Sequence, residues 1–280
     1  MSYIYPFVKV IAEVTGKTID KFNFKKNKVE PFQEFLLVFI VMVLLSSIYP
    51  IFSLKSFPAF SIFLVSLCLL MILISFFQNL FEFHGLQIKD LSYREMFIGI
   101  QPVLTMLFAF LLFPSERKIS YIIGIILSVI ILYFGTYQKH WKFKQDKGTI
   151  YILLAILCSA ILANIYKYLL NYLLPQFLFM IRVVGVLILL LLVTKISYKF
   201  KNNKTKVLGS LAGVFYFIGV IAYLLSIKHL GLNLTIILLF LHPVLTYFLS
   251  AEILKEKLNF RRMISNILLL IVVFLIVFVF

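Results

Sequence analysis

Long apolar runs recur along this whole chain, separated by short clusters of Lys, Asn, Ser and Pro. Each run is near the roughly 20 residues that an α-helix needs to cross about 30 Å of hydrocarbon. With 62% of residues hydrophobic and 14% charged, the composition lies far outside the mix of a water-soluble domain. Lipid-facing backbone must satisfy its own hydrogen bonds, and the runs are continuous rather than alternating, so helices are expected and barrel strands are not. The expected fold is all-α and integral to a membrane, with ten transmembrane helices at about 3–22, 32–53, 58–83, 92–113, 119–137, 149–170, 176–195, 207–227, 232–253 and 262–280.

The tetrapeptide Pro-Val-Leu-Thr occurs twice, at Pro102 to Thr105 and at Pro243 to Thr246, each time inside an apolar run. Neighbouring segments align as well: Ile4 and Tyr5 with Ile150 and Tyr151, Ile19 and Lys21 with Ile165 and Lys167, and Pro31 with Pro175. A polar stretch from Tyr137 to Lys147 separates the two halves like a linker. The reading is therefore a duplicated five-helix unit, residues 1–137 and 148–280. Because five is odd, the two copies must cross the membrane in opposite senses. Such inverted repeats characteristically hold a substrate near the bilayer midplane and expose it alternately to either side.

The first span is the most polar, since it contains Lys9, Glu13, Lys17 and Asp20. A charge at a helix centre costs about 2.5–3.5 kcal/mol on insertion scales. Alignment with the more apolar sixth span supports it nonetheless. No basic leader precedes an unbroken apolar stretch, so a retained helix is expected rather than a cleaved signal peptide.

The formal net charge is +16, but the basic residues gather in loops beside apolar runs. That pattern suits lipid headgroups and topology, and nucleic acid is not an expected partner. Loops after the odd-numbered spans carry most of the Lys and Arg, while the other side holds only Lys55, Arg117, Lys118 and Lys228. The positive-inside rule then places both termini outside.

Ionisable residues within an apolar span are candidate functional groups by default. Lys9, Glu13, Lys17 and Asp20 follow i, i+4, i+8 and i+11 spacing and form one helix stripe. Glu13, near the middle, is a candidate for substrate and proton binding; the plainer alternative is a charge ladder that lets a polar helix pack. Gln101 and His242 precede the duplicated prolines, where a missing N–H leaves a backbone carbonyl unpaired. They are candidates for lining a central cavity, and His242 for carrying a proton; a packed kink is the alternative.

Arg94, with Glu95, Glu82 and Asp90, sits at one mouth of the bundle and could clamp an anion, form a gate or snorkel. Arg182 lies deeper in its helix. Ser75, Gln78 and Glu82 align with Tyr216, Gly219 and Tyr223 at i, i+3, i+7 spacing, making both faces candidate cavity walls. Gly209 and Gly213 form a small-xxx-small pair suited to close helix approach. Cys68 and Cys158 stand alone, and no pattern calls for a metal, a cofactor or an enzymatic reaction.

These features together resemble the drug/metabolite transporter superfamily, in its ten-helix group with the EamA repeat. That repeat has a Pro in its fourth helix, then a turn with an acidic residue, then a fifth apolar helix. Here these are Pro102, Glu116 and Gly124 in the first copy, and Pro243, Glu256 and the run from Ile264 to Phe280 in the second. An early Arg in the second helix of a repeat has its counterpart in Arg182, against Val38 in the first copy.

The resemblance implies a secondary transporter of a small polar or amphipathic metabolite in a prokaryotic plasma membrane, as monomer or homodimer. It also implies cytoplasmic termini, opposite to the charge count. The substrate-binding set on this reading is Glu13, Gln101, Arg182 and His242, supported by Lys9, Arg94, Tyr216 and Tyr223. A non-catalytic accessory protein, or a flippase-like protein for lipid-linked substrates, is the alternative class.

Overall fold

A computed structural model of the chain describes residues 2–48, 61–89, 91, 94, 100–136, 146–193, 203–253, 264–265, 267–268, 271–272 and 275. Among these there is helix and no strand. In chain order the helices are α1 (Ile4–Phe22), α2 (Pro31–Ser46), α3 (Ile62–Ile88), α4 (Ile100–Leu112), α5 (Ile119–Thr136), α6 (Lys147–Leu169), α7 (Pro175–Val193), α8 (Asn203–Leu230), α9 (Leu232–Leu238) and α10 (Leu241–Ile253). The described positions between 264 and 275 are helical as well. Asp90, Glu95, Glu256 and most of the Tyr137 to Lys147 linker lie outside the described residues.

Four of these helices, α3, α6, α7 and α8, are long and apolar enough to cross a membrane, with mean hydropathy between 2.1 and 2.6. The outer surface of the bundle is apolar: Ile62, Leu111, Ile119 and Leu192 are 72–90% exposed. Water would not tolerate so continuous an apolar exterior, and lipid would.

Local chemistry sets the helix ends. Ser61 caps α3 by accepting from the Leu64 N–H at 3.2 Å, and Asp146 caps α6 by accepting from Thr149 N–H at 3.0 Å. Pro31 opens α2, where its missing N–H removes no helical bond. Lys21, on the last turn of α1, donates to the carbonyls of Leu86 (3.0 Å) and Lys89 (2.6 Å) and so caps the C-terminal end of α3.

The ninth predicted helix is not continuous. Leu239 and Phe240 form a turn between α9 and α10, and His242 N–H bonds the Leu239 carbonyl at 2.9 Å. Pro243 has no N–H to offer that carbonyl in a regular α-helix, so the helix breaks there rather than running through.

The principal interfaces join helices from opposite halves of the chain. α1 packs on α8 and α10, α6 on α3 and α4, α8 on α2, and α7 on α2 and α3. Phe35 of α2 stacks among Phe39, Phe76 and Phe83, with ring centroids 4.8, 6.0 and 5.4 Å away. Gly209 and Gly213 on α8 permit the α2 contact. A Cβ at Gly213 would meet Val38 O at 3.0 Å, and one at Gly209 would meet Leu37 Cδ2 at 2.6 Å, so a larger residue would force these helices apart.

Between α8 and α9 the chain turns at Gly231, whose φ of +85° is one that side-chain-bearing residues avoid. Glu116, on the short turn after α4, sits against it and accepts from the N–H groups of Leu232 (2.8 Å) and Asn233 (3.1 Å). A carboxylate from the first half thus caps a helix of the second. Lys167 pairs with the same carboxylate at 3.1 Å.

Candidate substrate cavity

A cavity of about 150 Å³ opens between the two halves. From the first half it receives Lys9, Glu13 and Lys17 on α1, Gln78 and Glu82 on α3, Arg94, and Gln101 with Thr105 on α4. From the second half come Tyr166 on α6, Arg182 on α7, Tyr216 and Tyr223 on α8, and His242 at the start of α10. The eight substrate-binding candidates, Lys9, Glu13, Arg94, Gln101, Arg182, Tyr216, Tyr223 and His242, border this one space, whereas Ser75 and Gly219 of the expected cavity walls do not line it. Asp20 departs from the expected stripe: eleven residues beyond Lys9 it lies about 16 Å further along the helix axis, and it does not line the cavity.

Glu13 sits between two lysines on its own helix. Lys9 Nζ is 2.6 Å from Oε2, and Lys17 Nζ contacts Oε1. Lys17 also reaches Glu82 Oε1 at 3.3 Å, and Arg94 Nε pairs with that same oxygen at 2.7 Å. The ladder on α1 is thus continued across to α3 and Arg94. His242 Nε2 completes the wall 3.9 Å from Glu13.

The duplicated Pro-Val-Leu-Thr has a local role in each copy. Thr105 donates to the Gln101 carbonyl at 2.8 Å, and the Thr246 hydroxyl lies 3.3 Å from His242 Nδ1. In both copies the threonine engages the polar residue four positions back, the one immediately before the proline. This anchors Gln101 and His242 at the cavity.

Across the cavity, Arg182 is 7% exposed. Its Nε donates to Ser75 Oγ at 2.6 Å, and its guanidinium lies 5.8 Å from the centre of the Tyr166 ring. Tyr166 in turn meets Tyr223 edge to face at 6.4 Å, and Lys9 lies 5.3 Å over the Tyr223 ring. Two aromatic rings therefore separate two cations.

Adjoining this site is a second polar cluster, in which the sequence pointed to Asp20 and Tyr216 but not to Asn23 or Glu34. The Tyr216 hydroxyl donates to Asp20 Oδ2 at 2.5 Å, and Asn23 donates to Glu34 Oε1 of α2 at 2.8 Å. Asp20 and Glu34 are fully buried. Glu34 carries no sequence signal beyond being an acid near the start of an apolar run, a position that reads equally well as interfacial.

Residues 146–278 match the sequence profile of the EamA-like transporter family. The second half of the chain therefore carries an EamA-like module, a family within the drug/metabolite transporter superfamily. That match and the four long apolar helices support a multi-pass membrane protein. No curated protein sequence matches it. A solved crystal structure superposes with a TM-score of 0.76 over 99% of this chain and 96% of that one, at 12% identity. At that identity the likeness is one of fold.

Proposed function

We propose that this chain is a secondary transporter that moves a small polar or amphipathic metabolite by alternating access between two inverted five-helix repeats. Ten crossings, a prokaryotic plasma membrane and a monomeric or homodimeric state belong to the same reading. The observation that carries it is a polar, charge-lined cavity formed jointly by both halves inside a bundle with an apolar exterior.

The packing pattern supports the repeat. Exchanging each helix for its counterpart turns the α1–α8 interface into α6–α3, α4–α6 into α10–α1, and α2–α8 into α7–α3, and all of these are present. Rocking one half against the other would then open the same cavity first to one side and then to the other. Glu13, Gln101, Arg182 and His242, with Lys9, Arg94, Tyr216 and Tyr223, are the substrate-facing residues on this reading, and Glu13 or His242 the proton-linked group.

Counterflow in proteoliposomes tests it. Wild-type protein preloaded with amino acids, nucleosides, sugars, phosphates or quaternary amines should give saturable, trans-stimulated uptake of at least one class. Uptake no greater than in empty vesicles across the set would overturn the proposal. For proton linkage, Glu13→Gln should flatten the pH dependence of exchange, and an unchanged profile removes Glu13 from that role.

A further inference from the structure

The charges lining the cavity do not balance. Among the described residues, four cations, Lys9, Lys17, Arg94 and Arg182, face two carboxylates, Glu13 and Glu82. Three of the cations are spoken for: Lys9 and Lys17 by Glu13, and Arg94 by Glu82. Arg182 differs, because its partners among the described residues are a serine hydroxyl and a tyrosine ring, both neutral.

The way Arg182 is held matters as much as its surplus charge. Ser75 takes the Nε edge, which fixes the guanidinium plane, and Tyr166 supports its face. The two Nη groups remain as the planar fork that suits a carboxylate or phosphate bidentately. A buried cation lacking an opposite charge is unfavourable in a low-dielectric setting, and the deficit is removed when an anion arrives. Lys9 lies beyond the Tyr166–Tyr223 pair, and the two rings offer an apolar surface to whatever carries the anionic group.

We propose that the cavity takes a small organic oxyanion, a carboxylate or phosphate ester with an apolar or aromatic body, and that its charged group docks on Arg182. The inference rests on the transport reading of this cavity and specifies its substrate class.

Full-length protein in nanodiscs of phosphatidylcholine, titrated with benzoate, phenylphosphate, benzyl alcohol and benzylamine, tests the charge preference on one ring scaffold. Benzoate or phenylphosphate should bind at least about tenfold tighter than the neutral and cationic analogues, and Arg182→Gln should weaken anion binding about 10- to 100-fold, the worth of hydrogen bonds to a charged group. Arg182→Lys, which keeps the charge and loses the fork, should retain the anion preference at reduced affinity, and it serves if the glutamine variant does not fold.

Tightest binding by benzylamine, or anion binding unchanged in both variants, would overturn the proposal. Stabilisation by added phosphatidylglycerol but not by the soluble anions would assign the same oxyanion site to a lipid headgroup. Counterflow separates the two levels of the argument. Anions that bind through Arg182 but do not exchange would defeat the transport reading and leave the oxyanion site standing. Exchange of neutral or cationic solutes alone would do the reverse.

Discussion

On the α1 wall of the cavity Glu13 lies between Lys9 and Lys17, whereas on the α6–α7 wall Arg182 meets a serine and a tyrosine ring. Every cation of the first wall contacts a carboxylate, Lys9 and Lys17 sharing Glu13 and Arg94 meeting Glu82. The second carries an uncompensated charge. Internal pairing stabilises a bundle, while incomplete pairing leaves interaction free energy for a ligand to collect, so one cavity holds a structural face and a receptive one.

If that division is right, removing a charge from each wall should act oppositely on fold and on binding. Glu13→Ala strands Lys9 and leaves Lys17 only its longer contact with Glu82, and breaking a buried ion pair from one side costs about 3–5 kcal/mol. Arg182→Met strands no opposite charge and orphans only the Ser75 hydroxyl, for about 1–3 kcal/mol. Unfolding in mixed detergent micelles should therefore rank Glu13→Ala as clearly the less stable. A destabilisation by Arg182→Met as large as that by Glu13→Ala would erase the difference between the walls.

Tyr216 sharpens the boundary between the walls and the buried polar cluster adjoining them. Its ring faces the cavity and its hydroxyl donates to Asp20, so Tyr216→Phe keeps the ring and removes one donor from a fully buried acid. A loss of about 1–3 kcal/mol in the same unfolding assay is expected. No loss would mean that Asp20 is satisfied without the tyrosine, and that the polar cluster is independent of the cavity wall.

The apolar runs made the helices legible, because length and continuity are properties of a single segment. Residue spacing likewise revealed the Lys9–Glu13–Lys17 face. What spacing does not encode is the neighbour across the interface. Nothing in the sequence around Glu34 names Asn23 as its partner, and nothing around Glu116 says that it caps α9 more than a hundred residues later. Pro243 was visible, yet whether a proline kinks or breaks its helix depends on who takes the freed carbonyl, here the His242 N–H. Arg182 was legible as an oddity. Its neutral surroundings come from α3 and α6 and had to be seen in space.

Outside the cavity, Lys89 and Asp146 provide the contrast of a more solvent-accessible ion pair, their side chains 18% and 40% exposed. They join the end of α3 to the start of α6, across the two halves, and Asp146 also caps α6. The Lys89 hydrogen bond, together with that from Thr149, holds the Asp146 carboxyl down at about 2, against 3.8 normally. A carboxyl with a depressed folded-state value contributes stability that is present above its unfolded value and is lost as pH falls through the folded one. The contribution of this pair should therefore fade between about 3.8 and about 2. Asp146→Asn isolates the charge, because asparagine still caps a helix. The difference in melting temperature between wild type and this variant should be small at neutral pH, shrink across that window, and shrink also with added salt, since exposed pairs are screened. A salt-insensitive difference would mean that Asp146 behaves like the buried charges of the α1 wall, and that the two halves are joined at this edge more firmly than an exposed pair allows.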